Sequence, residues 1–202
     1  MFNLTGFLTY AFVVTFTPGP NNITSMVLAS QNGYRKTLRF MLGVASGFFI
    51  IMLLSSYFNL MLLRYIPKVK VFMSFFGIAY MIFLALKILG IHFPWSNGAQ
   101  GEKKEPLSSF KIGMLLQFVN PKGIIYGITI ISTFITPFYS STVSLVLFGA
   151  FLSFLALVST SCWAIFGSLF NRFLTKYQRQ FNIVMAALLF YTAYTILLGL
   201  FH

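Results

Sequence analysis

The sequence predicts an all-α integral membrane protein of six transmembrane helices, arranged as two inverted three-helix repeats with the first helix of each repeat broken. Three observations lead there. The first is composition: 58% of the 202 residues are hydrophobic and 8% charged, with a mean hydropathy of +0.85, where soluble domains carry roughly 25% charged residues. The second is a set of six apolar runs, each near the ~20 residues that cross a bilayer. The third is a pair of proline and asparagine interruptions, one early in each half of the chain.

The first run, about residues 4 to 30, has no charge between Met1 and Tyr34, yet it contains TFTPGPNNITSMV, Thr15 to Val27. In lipid every freed backbone group needs a partner, so such a break is tolerated only where it is buried in protein or lines a cavity. The opening MFNLTGFLTYAFVV lacks the basic segment and small-residue cleavage site of a signal peptide, so it is expected to stay as the first span. The second run covers about 40 to 63 and the third about 71 to 91. Lys87 sits near the end of the third, and His92, Phe93, Pro94 and Trp95 behind it form an interfacial stop. The fourth run, about 112 to 136, is interrupted at FVNPKG, Phe118 to Gly123; the fifth and sixth cover about 143 to 170 and 181 to 201.

The formal net charge is +12. Its distribution excludes a nucleic-acid surface, because the basic residues sit in the short gaps between apolar runs rather than on one folded face. Membrane lipid headgroups are the expected anionic neighbours. One set of gaps holds Arg35, Lys36, Arg39, Lys103, Lys104, Lys111, Arg172, Lys176 and Arg179; the opposite set holds Arg64, Lys68 and Lys70. The richer side is expected to face the cytoplasm, which places both termini in the periplasm. The chain, 1–202, thus reads as a single transmembrane domain: repeat 1 over about 1–93, a linker over about 94–109 and repeat 2 over about 110–202. The linker holds the only two acidic residues, Glu102 and Glu105. An odd number of spans per half makes the second half enter the membrane in the opposite sense.

Counting from the basic ends, both breaks lie about nine residues into their spans, or roughly 13 Å deep at ~1.5 Å per residue, near the middle of a ~30 Å core. Paired discontinuous helices near the midplane point to the substrate site of a transporter. A half-helix starting near Ile23 would aim unpaired N–H groups and a positive dipole end at a carboxylate. The amides of Asn21, Asn22 and Asn120 offer both donors and acceptors, and unpaired carbonyls around Val14 to Thr17 would accept from an ammonium. Lys122 is the one charged residue inside the fourth span. A lysine at that depth costs about 2.5 to 3.5 kcal/mol on the insertion scale. Either it captures a carboxylate, or it snorkels to the cytoplasmic interface. Tyr126, one turn beyond Lys122 on the same face, offers a hydroxyl to the pathway or bonds to backbone. The candidate substrate-binding set is Pro18, Gly19, Pro20, Asn21, Asn22, Gln117, Asn120, Pro121, Lys122 and Tyr126.

TPGPNN at Thr17 to Asn22, the basic NGYRK at Asn32 to Lys36, and QFVNPKG at Gln117 to Gly123 together resemble the LysE/RhtB superfamily of bacterial amino-acid exporters. The resemblance runs nearly end to end. LQFVN at Leu116 to Asn120, the Tyr126–Gly127 pair, STF at Ser132 to Phe134 and RQFNIV at Arg179 to Val184 resemble its cysteine and O-acetylserine exporters. The resemblance implies export of small amino acids across a bacterial inner membrane. One departure is informative. Many members carry an aspartate in the second span, and the matching position in GVASGF is Phe48. No Asp or Glu lies in any predicted span, so a cationic substrate would meet no counter-ion, which favours zwitterions such as cysteine or O-acetylserine over lysine. Homoserine, threonine and branched-chain or basic amino acids are the alternative cargoes.

The remaining features take plainer readings. Gly43 and Gly47, like Gly123 and Gly127, form GxxxG pairs, which serve packing within the chain or a homodimer; Gly123 also stands where it could leave room for substrate. Cys162 and Trp163 read as core, and the single cysteine excludes an internal disulfide. His92 and His202 at span ends read as anchors. No metal or other cofactor is expected. An enzyme would need histidine, paired carboxylate or paired cysteine chemistry at membrane depth, and the sequence has none. With no GxxxxGK[ST] loop it is no self-contained ATP-driven pump. A non-transporting partner subunit would predict long soluble segments, and the longest here is the linker.

Overall fold

The computed structural model describes residues 2–58, 75, 78–79, 81–86, 88–90, 109–170 and 176–198. Helices and short turns account for them, and there is no strand among the described residues. The predicted linker up to 108, the basic residues Arg64, Lys68, Lys70, Lys103, Lys104 and Arg172, and both histidines lie outside the described residues. So do Lys87 and the first residues of the third predicted span, 71–74; within that span residues 81–86 are helical.

The first run divides into α1, Leu4–Phe16, and α2, Pro20–Asn32. Asn3 starts α1 by accepting from the Gly6 N–H at 2.9 Å. α2 begins at Pro20, three residues before the expected Ile23. Proline suits a first helical position, where its missing N–H costs nothing. It ends at Gly33, whose φ of 81° lies in the left-handed region that favours glycine.

The chain turns there directly into α3, Tyr34–Tyr57. Arg35, Lys36 and Arg39 are therefore exposed on the first turns of a helix rather than in a loop, and the second span begins about six residues earlier than the charge pattern suggested. A membrane tolerates such residues at a helix end because their long stems let the charge reach the interface.

In the second half, Ser109 caps α4, Phe110–Phe118, by accepting from the Ile112 N–H at 3.2 Å. After Val119 and Asn120, α5 runs over Pro121–Ile130 and continues as a π-turn, Ile131–Ile135. The two parts meet at a bend of 65°. α6, Thr142–Leu169, and α7, Gln178–Leu198, follow. Among the described residues three helices, α3, α6 and α7 from Arg179, are long and apolar enough to span a bilayer, and the bent α4–α5 pair makes a fourth. These match the second, fourth, fifth and sixth predicted spans. α1, with 13 residues, is apolar but short of a full crossing on its own.

Glycines set the closest crossings. A Cβ on Gly43 would strike the Phe110 carbonyl and one on Gly113 the Phe40 carbonyl, so α3 and α4 touch backbone to backbone. A Cβ on Gly47 would sit 2.8 Å from the Met114 carbonyl of α4, and one on Gly127 of α5 would strike the Met52 side chain of α3. Both GxxxG pairs are thus used within the chain. Gly167 of α6 lies against the backbone of Met26 in α2.

One apolar cluster joins α1, α3, α5 and α6 through Phe7, Phe48, Met52, Ile131 and Leu152. A second joins α2, residues 84–88 and α7 through Ile23, Met26, Ala85 and Leu189.

Candidate functional site at the paired helix breaks

The break after α1 frees the last carbonyls of that helix, and each finds a partner within the protein. Val13 accepts from the Thr17 N–H at 3.1 Å, and Val14 from the Thr17 hydroxyl at 2.9 Å. The Thr15 carbonyl accepts from Asn22 Nδ2 and from the Ser159 hydroxyl, both at 2.9 Å. Phe16 accepts from Trp163 Nε1 at 3.3 Å. Thr17 accepts from Asn22 Nδ2 at 3.0 Å and from Lys122 Nζ at 2.9 Å. The expectation that carbonyls around Val14 to Thr17 stand unpaired is therefore corrected: α2, α5 and α6 all send side chains to them.

Lys122 reaches the carbonyls of this break from α5. Its ammonium donates to the Thr17 carbonyl and hydroxyl, each at 2.9 Å, and to the Pro18 carbonyl at 3.2 Å. All three of its donors are engaged, and the cation rests on the negative end of the α1 dipole. It also lies beside the start of α2: a Cβ on Gly19 would sit 3.1 Å from Nζ. No side chain caps the α2 N-terminus, so a positive helix end and a lysine ammonium share one corner. The chain's two carboxylates, Glu102 and Glu105, are outside the described residues.

The second break is built like the first, with an extended residue and then a proline opening the next half-helix: Gly19 with Pro20, and Asn120 with Pro121. Asn120 differs in capping its own helix, accepting from the Gly123 N–H at 3.4 Å. Gln117 at the end of α4 accepts from Asn21 Nδ2 in a short hydrogen bond that ties the breaks together. It is 2% exposed, held against Gly123, where a Cβ would collide with its Nε2. Gly123 thus lets Gln117 pack close, and it also lines the cavity between the breaks.

Between the breaks lies a cavity of about 60 Å³. A water needs ~10–15 Å³ on such a measure, so it has room for roughly four to six waters, the size class of a small amino acid. Gly19, Pro20, Asn21, Asn22, Gln117, Asn120, Lys122 and Tyr126, eight of the predicted residues, line it. Pro18 lines a neighbouring chamber instead, and Pro121 is buried at the start of α5. Asn22, though on the wall, spends its amide on the α1 carbonyls, and its Oδ1 accepts from Ser159 at 3.4 Å. The Tyr126 hydroxyl accepts from Thr15 at 3.2 Å and donates to the Ala11 carbonyl at 3.5 Å. Its ring stacks on Phe48 at 5.5 Å and 10°.

This assembly of two proline-opened half-helices joined by Asn21–Gln117 and Lys122–Thr17 is what the two sequence motifs encode. The pattern of the LysE-type translocators matches residues 12–199. The chain belongs to the LysE-type translocator family. It is 37% identical over 190 residues, 94% of this chain and 95% of the relative, to the cysteine/O-acetylserine efflux protein of Escherichia coli K12. The same identity and coverage hold for the proteins of that description from E. coli O139:H28 and Shigella flexneri serotype 5b. No solved structure matches the chain. As a LysE-type translocator with apolar spanning helices, it is a membrane transport protein and not an enzyme.

Several wall residues of this LysE-type site escaped the sequence reading. Val44, Ala156 and Thr160 line the cavity, and Thr15, Ser159 and Trp163 hold its frame. The small polar stretch Ser159 to Ser161 inside an apolar span was the available signal for α6. Of the two residues expected in the core, Cys162 is exposed, whereas Trp163 packs against the cluster of Ile23 and Met26 and also caps α1, because successive residues on a helix face different sides.

Proposed function

We propose that this chain exports small zwitterionic amino acids from the cytoplasm across a bacterial inner membrane, with cysteine and O-acetylserine as the best-matched cargo. The observation that carries this reading is the corner where the uncapped α2 N-terminus meets Lys122, with no carboxylate in the cavity wall. A helix start and an ammonium together favour a carboxylate. The amide oxygens of Asn21, Gln117 and Asn120 provide acceptors for the substrate's ammonium. Phe48 and Tyr126 close the wall with a stacked apolar surface, so a second positive charge finds no counter-ion.

Transport proceeds by alternating access, as a secondary process in which the two halves rock about the breaks. The repeated order of short half-helix, proline-opened half-helix and long helix, α1–α2–α3 and α4–α5–α6, supports two repeats; the odd number of predicted spans per half and the basic residues in alternate gaps support their inversion and both termini outside. The cargo class follows the names of the relatives and the small cavity. The test is excretion: bacteria lacking their own exporters and expressing this chain should release several-fold more cysteine and O-acetylserine into the medium than cells with an empty vector. Release of lysine alone would overturn the cargo assignment.

A further inference from the structure

Lys122 stands on two walls at once. Besides the central cavity it lines a larger chamber of about 440 Å³ between α1, α5 and α7. That chamber bears the hydroxyls of Tyr10, Thr17, Tyr191, Thr192 and Thr195. Its position along the helices is telling. Among the described residues the exposed basic side chains lie at the start of α3 (Arg35, Lys36 and Arg39), at the start of α4 (Lys111) and around the start of α7 (Lys176 and Arg179). Tyr191, Thr192 and Thr195 belong to the opposite half of α7, and Tyr10 lies at the middle of α1, about two turns before the break. The chamber therefore extends from the breaks toward the side away from the basic ends, which the charge rule assigns to the outside.

We infer that this chamber is the outer vestibule of the transport path and that Lys122, held on Thr17 and Pro18, is the gate between it and the central cavity. The inference rests on the exporter reading above and adds to it the exit route and the closing residue. The chemistry fits a zwitterion. Breaking the bridge leaves the ammonium and the Pro18 carbonyl without these partners and the Thr17 carbonyl with Asn22 alone, a penalty that water-poor surroundings magnify. An amino acid brings a partner for each: its ammonium takes the Thr17 and Pro18 carbonyls, and its carboxylate takes Lys122. A molecule with one of these groups satisfies half the bridge, so the gate also selects.

The test uses a charged, membrane-impermeant thiol reagent applied to intact cells, in a Cys162→Ser background because Cys162 is exposed. Thr192→Cys, in the vestibule, should be labelled quickly. Ala156→Cys, on the central cavity wall, should react at least tenfold more slowly. Adding Lys122→Met should bring Ala156→Cys close to the vestibule rate. Thr17→Val, which removes one of the three acceptors, should raise it several-fold even if the lysine variant fails to accumulate. An unlabelled Thr192→Cys, or an Ala156→Cys rate indifferent to both gate variants, overturns the inference. Labelling needs no substrate, so that result alongside normal export removes the gate alone. Absence of export from the unaltered chain removes the function proposed above.

Discussion

The ammonium of Lys122 in α5 lies 2.9 Å from both the carbonyl and the hydroxyl of Thr17, the residue that ends α1. The two residues are 105 positions apart, and their contact joins the halves of the chain at the point where each has a broken helix. The lysine thereby offsets the exposed negative end of one half-helix while standing beside the positive end of another.

Lys122→Arg should not substitute. A planar guanidinium cannot reproduce three convergent bonds from a single ammonium, and the nearby Gly19 leaves it little space. Export should fall at least tenfold with normal protein levels, measured by amino-acid release per unit of membrane protein.

Asn22→Ala removes two hydrogen bonds to the carbonyls of Thr15 and Thr17. Ser159 and Lys122 still reach those carbonyls, so the loss should be partial, about 1–3 kcal/mol. Thermal melting of the purified protein in detergent should show a lower midpoint, and Asn22→Asp should not restore it, since a carboxylate cannot donate.

Phe48→Asp places a carboxylate on the cavity wall, where Phe48 is 2% exposed and stacked on Tyr126. A buried carboxylate needs a positive partner, so the cargo preference should shift toward lysine or arginine while cysteine release falls. Comparing release of the three amino acids from one strain reads this directly. Unchanged preference would separate Phe48 from selection.

Gly113→Ala should be damaging and Gly149→Ala nearly neutral. The first drives a methyl into the Phe40 carbonyl, whereas the second meets side-chain atoms no closer than 3.3 Å. Overpacking against backbone costs roughly 1–3 kcal/mol, only partly offset by the better helix propensity of alanine. Melting midpoints of the two variants should differ by several degrees.

Much of this arrangement was legible in the sequence because a bilayer makes irregular backbone conspicuous. TPGPNN and FVNPKG stand out in apolar runs, and their equal depth predicts that they meet, as Asn21–Gln117 and Lys122–Thr17 show. What the sequence concealed is how the freed backbone groups are satisfied. Nothing local to Ser159 or Trp163 says that they serve carbonyls 144 and 147 residues away; that depends on which face α6 turns toward the break. Helix starts were misplaced for a simpler reason. Charge marks where a chain leaves lipid, while Gly33 and Pro20 mark where the backbone changes direction, and at α3 these differ by about six residues.

The most direct test of the paired-break site is uptake of labelled cysteine, O-acetylserine and lysine into inside-out membrane vesicles bearing either the unaltered chain or Lys122→Ala. The account predicts uptake of the two small zwitterions, none of lysine, and at least a tenfold loss in the variant. Robust lysine uptake, or full activity without the Lys122 side chain, would contradict it.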